Sequence, residues 1–145
     1  MALIWASPEK TTSLEVLYKL QKRAARIIML VHYQTHAEPL IRKFKILSGY
    51  DLCKSQILIF VYKSYNNLLP PICTNFFTHA KNVHQYSTRS SKNSNLYRIN
   101  ANKSCRIHSI AARGPNYWNL LTVSLKLTPF FSLLKVNLKE YSVSQ

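Results

Sequence analysis

Between Asp51 and Glu140 the chain has no Asp or Glu, although the 88 residues between them include twelve Lys or Arg. A segment that long without a carboxylate has no counter-charge of its own, and phosphate is the group that most readily supplies one. Glycine is nearly as scarce, at two residues. That excludes a glycine-rich phosphate loop of the P-loop or dinucleotide kind, and it leaves Asn and Ser side chains to build turns by bonding to the backbone. Three cysteines, Cys53, Cys73 and Cys105, are odd in number and widely spaced. They argue against a disulfide framework and for a reducing, intracellular compartment, cytoplasmic or nuclear. No apolar run exceeds six residues, the length of Ile57–Tyr62, against the roughly 18 to 20 a membrane-crossing helix needs. Met1–Ser7 has an apolar patch, but neither a basic region ahead of it nor enough apolar length for a secretory signal.

What is present is positive charge. The 145 residues hold 20 Lys or Arg against 5 acids, a formal charge of +15, with 47% apolar content. That apolar share is enough for one small domain with a modest core and too little chain for a complete polymerase. Nucleic acid, RNA or DNA, is the leading partner class. An anionic membrane surface answers the same charge and stands as the alternative. A small-molecule substrate is not expected.

The apolar periodicity predicts a mainly α fold, a small helical domain with a long basic, largely irregular middle segment. Thr12 and Glu15 have the spacing of a capping box, so a helix should start there. At 100° per residue, Leu14, Leu17, Tyr18, Leu20, Ala24, Ala25, Ile27, Ile28 and Val31 fall in one half of the wheel, and Lys19, Lys22, Arg23 and Arg26 in the other. A basic stripe of this kind is ordinarily a solvated face. Here no acid is interleaved among them, so the four charges repel one another and favour a phosphate-facing helix. Pro39 suits the first turn of a short second helix with Leu40, Ile41, Phe44 and Leu47, closed by Ser48-Gly49. Asp51 is then expected to cap a core helix from Leu52 to about Asn67, with Ile59, Phe60 and Tyr62 among its apolar residues, stopped by Pro70-Pro71.

From Thr78 to Ile107 the chain alternates Ser, Asn, His and Tyr with Lys81, Arg89, Lys92, Arg98, Lys103 and Arg106. Tyr86 and Tyr97 each lie near an Arg, a pairing that stacks a base while holding its phosphate. The same composition also fits a disordered linker. Gly114-Pro115 reads as a turn with Pro115 opening a helix that carries Tyr117, Trp118, Leu120 and Leu121, Trp118 being a core anchor. Thr128-Pro129 should start a last helix with Phe130, Leu133, Leu134, Leu138 and Tyr141 on one stripe. The chain thus divides into a lead-in 1–11, a helical subdomain 12–77, a basic polar segment 78–113 and a helical end 114–145.

No catalytic or metal constellation emerges. Glu9, Glu15, Glu38, Asp51 and Glu140 include no close pair for two metal ions or for dividing acid and base roles. Cys73 with His79 and His84, and His32 with His36, lack the paired spacing or the third ligand of a zinc site. No serine sits in a nucleophile elbow. No cofactor is implied, and an enzyme acting on its own is not expected.

Several segments, in order, resemble the C-terminal end of reverse transcriptases from non-LTR retrotransposons of the jockey-like, LINE type. Ile4-Trp5-Ala6-Ser7 resembles the family's apolar-Trp-Gly-Ser segment, and Leu17–Ile28 is similar to its Leu-Gln-Lys-Arg-Ala helix. The likeness continues through Glu38-Pro39-Leu40, Ile46-Leu47, Asp51-Leu52, Leu69-Pro70-Pro71, Tyr86-Ser87-Thr88-Arg89 and Gly114-Pro115-Asn116-Tyr117-Trp118-Asn119. Ala6 departs from the family's glycine, and Leu121-Thr122 from its usual Leu-Pro. The resemblance implies a thumb and post-thumb region, without the polymerase palm and its paired aspartates and without the endonuclease. Such a region would grip template RNA, primer or target DNA. Lys19, Lys22, Arg23 and Arg26 would be phosphate contacts, with Tyr86 and Arg89 as secondary contacts. Two other readings stand beside it: a non-enzymatic helical scaffold or anionic-membrane-surface binder that lays the first helix in the interface, and a product that never folds stably.

Overall fold

A computed structural model describes residues 12–74, 76–83, 86–100 and 102–144, leaving out the side chains of 12, 13, 74, 104, 105 and 142–144. The lead-in with Ile4-Trp5-Ala6-Ser7 and Glu9, the Thr12 hydroxyl of the expected capping box, His84 and the Cys105 thiol therefore lie outside the described residues. The fold is mainly α. In chain order the helices are α1 (Thr12–Ile28), α2 (Glu38–Lys43), α3 (Gly49–Tyr65), α4 (Pro71–Thr74), α5 (Ala80–Val83), α6 (Arg89–Lys92), α7 (Ser104–Ile107), α8 (Ile110–Leu120), α9 (Val123–Lys126) and α10 (Phe131–Ser144). Among the described residues the only β feature is an isolated antiparallel bridge between His79 and Leu96. Two compact units result: one of Met1–Ser55 with Val136–Gln145, the other of Gln56–Lys135. The dividing lines fall inside α3 and α10.

In the first unit, α1 begins where the sequence predicts but divides its apolar residues. Leu14, Tyr18, Gln21 and Met29 are half-buried and Ala25 is buried, on one face of the helix. Val16, Leu20 and Ile27 on the opposite face, and Leu17 and Ile28 at the edge of the packed one, are each more than half exposed. The packed face is held by the Tyr18 ring set edge-on to Tyr50, centroids 6.0 Å apart, and by Gln21 Nε2 donating to the Leu47 carbonyl at 2.9 Å. Pro39 sits in the first turn of α2, as expected, where its missing N–H costs nothing. Ala37 and Ile41 are buried beneath it.

The start of α3 corrects the sequence reading. Ser48, not Asp51, is its cap: the Ser48 hydroxyl accepts from the Asp51 N–H at 3.2 Å and donates to the Asp51 carboxylate at 2.6 Å. Asp51 is the N3 partner of that reciprocal pair, so the helix starts at Gly49, and α2 has already ended at Lys43. Leu52, expected in the core, is 46% exposed.

In the second unit the C-terminal part of α3 forms the core, with Ile57, Leu58, Val61, Tyr62 and Ser64 buried. Phe60, Phe76 and Phe77 pack edge to face at 5.4 to 6.1 Å. Gly114-Pro115 is not a turn. α8 starts at Ile110 and runs through both residues, which are buried with Ala112, Arg113 and Trp118. Gly114 serves close approach: a Cβ there would stand 2.7 Å from Phe77 Cε1 and 2.9 Å from Val61 Cγ2. Pro115 forgoes one helical hydrogen bond, and the burial of this stretch outweighs that loss. Neither glycine has positive φ. Leu30, Lys45, Asn67 and Ser94 take the left-handed conformation instead, at roughly 1–2 kcal/mol each for residues with a Cβ.

The basic middle segment is irregular, as predicted, but it is tied down. Tyr97 N donates to the Thr78 carbonyl at 2.8 Å and Ala80 N to the Asn95 carbonyl at 3.0 Å. Thr88 caps α6 by accepting from the Ser91 N–H at 3.2 Å. Trp118 is fully buried, as expected of an anchor, and its indole N–H donates to the Ser94 carbonyl at 3.1 Å. Asn119 bonds both backbone groups of Leu96, each at 2.9 Å, in the manner of a neighbouring strand. The last helix starts at Phe131 with Leu134 and Leu138 buried. Phe130 precedes it and is 68% exposed, and Leu133 is 46% exposed.

Candidate nucleic-acid interface

The α1 stripe survives as a helix face, but its four cations are not equivalent. Lys22 reaches Glu38 at 3.4 Å and lies 4.3 Å over the Tyr18 ring. Arg26 Nε donates to the Thr35 carbonyl at 2.7 Å. These two side chains brace the segment between α1 and α2. Lys19 and Arg23 are exposed and, among the described residues, have no partner. One helical turn apart on the same face, they present two full charges to solvent. Of the predicted phosphate contacts, these two are unencumbered.

In the second unit the absence of acid becomes a structural property. Gln56–Lys135 contains ten Lys or Arg and no Asp or Glu, so every cation must find a neutral partner or none. Lys63 and Lys135 both lie over the Phe131 ring, at 5.0 and 4.5 Å. Arg113, buried, contacts His108 Nδ1. Lys126, only 3% exposed, donates to Asn95 Oδ1 at 2.7 Å and to the Asn93 carbonyl at 3.4 Å. Burial pushes the Lys126 ammonium below its ordinary pKa, because no carboxylate repays its desolvation.

The remaining six, Lys81, Arg89, Lys92, Arg98, Lys103 and Arg106, are exposed without a partner among the described residues. Arg89 opens α6, and Tyr86, three residues before it, is 79% exposed. No cation lies over the Tyr86 or Tyr97 ring among the described residues, and Tyr97 is 44% exposed.

Sequence reasoning missed the residues that hold this surface in place: Lys126, Arg113 and Asn119. Lys126 and Arg113 read as ordinary surface charge until burial is known. The Trp118-Asn119 pair was legible only as part of a motif, not as a clamp. His32 and His36 are both exposed, and His32 Nδ1 accepts from the Gln34 N–H at 3.4 Å. Among the described residues, no three His, Cys, Asp or Glu side chains gather as metal ligands, and no helix is long and apolar enough to cross a membrane. Comparison with protein-family models, with curated proteins and with solved structures finds no match.

Proposed function

We propose that this chain is a non-catalytic nucleic-acid-binding protein, akin to the thumb and post-thumb region of a non-LTR retrotransposon reverse transcriptase, and grips RNA or DNA through phosphate contacts. One observation carries the reading: a unit whose cations outnumber its acids ten to none, with six of them exposed and, among the described residues, unpartnered. Neutral partners such as the Phe131 ring and the Asn95 amide orient a cation but leave its field standing, so a polyanion is the partner that lowers the free energy of this surface. Lys19 and Arg23 add a second phosphate-facing element, and Tyr86 with Arg89 pairs an exposed ring with an exposed guanidinium. The retrotransposon kinship rests on the ordered sequence resemblance alone. Genomic sequence upstream of Met1 that encodes a reverse-transcriptase palm, intact or decayed, supports it.

The direct test is the salt dependence of affinity for RNA and DNA. Each neutralised phosphate contributes about 0.7 (single strand) to 0.9 (duplex) to the log-log slope. Lys19→Glu with Arg23→Glu should weaken binding and lower that slope by about 2. Binding that is absent, or indifferent to salt, overturns the proposal.

A second reading is favoured by the exposed apolar face of α1. Val16, Leu17, Leu20, Ile27 and Ile28 flanked by cations are the composition of a helix lying in an anionic membrane surface. Co-sedimentation with anionic vesicles that survives Lys22→Glu plus Arg23→Glu would favour it over nucleic acid.

A further inference from the structure

The second unit contains a cleft of about 440 Å³, lined in part by Ser90, Asn95, Leu96, Tyr97, Arg98 and Asn119. Its volume lies within the range of small-ligand sites. The side-chain amides on its walls are already committed. Asn119 spends both ends of its amide on the Leu96 backbone. Asn95 accepts from Lys126 at 2.7 Å and donates to Ser90 Oγ at 3.1 Å. The Asn119 and Asn95 amides are thus committed, while the Ser90 hydroxyl proton and the Arg98 guanidinium have no acceptor among the described residues. Donors without acceptors, in a unit without a carboxylate, select an anion. Beside Arg98, Tyr97 is 44% exposed, and its backbone is fixed by the bond to Thr78. An adjacent aromatic adds recognition of a flat ring.

We infer that this cleft holds one nucleotide of a single-stranded nucleic acid, its phosphate on Arg98 and Ser90 and its base against Tyr97. The inference rests on the nucleic-acid-binding reading above and names the strand state that reading leaves open. A base paired and stacked in a duplex is out of reach of a cleft, whereas an unpaired base stacks on any exposed aromatic and is held by a neighbouring guanidinium. The clamp by Asn119 and Lys126 gives the walls a fixed shape before the nucleotide arrives, which limits the ordering cost of binding.

The test titrates the full chain with a short single-stranded oligonucleotide and with a duplex of the same length. Tyr97→Ala should weaken single-strand binding about 5- to 150-fold, the range for loss of one base–aromatic stack, and leave duplex affinity within about twofold. Arg98→Gln should lower the single-strand salt slope by about 0.7, one phosphate. Tyr97→Phe, which keeps the ring, should bind the single strand like the unchanged chain, and the Tyr97 and Ala80 amide signals report whether each variant keeps its backbone pairing. If Tyr97→Ala and Arg98→Gln leave single-strand affinity unchanged, or weaken both strand states equally, the cleft proposal is overturned. The broader reading then still stands wherever Lys19→Glu plus Arg23→Glu weakens binding. If the unchanged chain binds neither strand state, both readings fall. A nucleoside monophosphate that shifts the Tyr97 and Arg98 signals but is not displaced by single strand makes the ligand a free nucleotide, and overturns the proposal as stated.

Discussion

The two compact units differ in what their cations can meet. In the first, two meet carboxylates, Lys22 with Glu38 at 3.4 Å and Lys54 with Asp51 at 3.9 Å, while Arg26 goes to the Thr35 carbonyl. In the second, with no carboxylate to meet, Lys63 and Lys135 share the Phe131 ring, Lys126 goes to Asn95 and the Asn93 carbonyl, and Arg113 goes to His108. A carboxylate satisfies both the hydrogen bonds and the charge of a cation. A ring or a carbonyl satisfies direction alone, so the field of the second unit is left standing while its structure is complete. Surface charge and structural charge are therefore separable there: Lys126 and Arg113 are buried in the fold, and the six exposed cations of the 81–106 stretch have no partner among the described residues.

That contrast can be broken by substitution, most severely at the centre of the second unit. Trp118→Ala removes a fully buried indole and its bond to Ser94, and should cost about 3–5 kcal/mol. Denaturant midpoints will measure this, and a loss under 1 kcal/mol would deny Trp118 its anchoring role. Asn119→Ala leaves the Leu96 N–H and C=O without partners. It should cost about 1–3 kcal/mol, with hydrogen exchange accelerating first at Leu96 and Tyr97. In the first unit the comparable local change is smaller: Ser48→Ala removes the α3 cap and should cost about 1 kcal/mol, read as fraying at Gly49–Leu52.

A pH slope sharpens the comparison further. His79, against Tyr65 at 4.6 Å, has its pKa pushed below the ordinary 6.5 by burial. The folded state therefore binds a proton less readily than the unfolded chain. Stability is fully present above about pH 6.5 and falls as the pH drops through the lower folded pKa. His79→Gln should flatten that acid-side slope in urea unfolding followed from pH 7 to 5, and a slope unchanged by the substitution would assign it elsewhere. The smallest effect is expected for Glu38→Gln. This exposed pair should be worth no more than about 0.5 kcal/mol, and a loss several times larger would mean that the first unit depends on its ion pairs.

Much of this architecture was legible before any coordinates. The helical period of α1, the apolar density of Ile57–Tyr62 and the role of Trp118 follow from local rules of spacing and propensity, and all three hold, whereas α3 ends at Tyr65, ahead of the expected stop, and Pro71 opens α4. The two glycines misled, because Ser48-Gly49 and Gly114-Pro115 carry the local marks of turns. In both cases burial decided the conformation: Gly49 opens α3 next to Leu14 and Leu17, and Gly114 lets α8 meet Phe77 and Val61. The turns went to Asn67 and Ser94, residue types that suit them, and to Leu30 and Lys45, which no composition rule would choose.

The candidate interface divides along the same line. Which residues are basic, and that no acid accompanies them from Leu52 to Lys139, is a property of the sequence, because charge balance needs no fold. Which cations are spent and which are free was decided by the tertiary structure. Lys126 is nearly sealed from solvent and Arg98 is open, and only the packing of α8 and α9 beside the Asn93–Tyr97 stretch separates them. Net charge is a sum over residues, whereas its availability depends on which of them the core has already claimed.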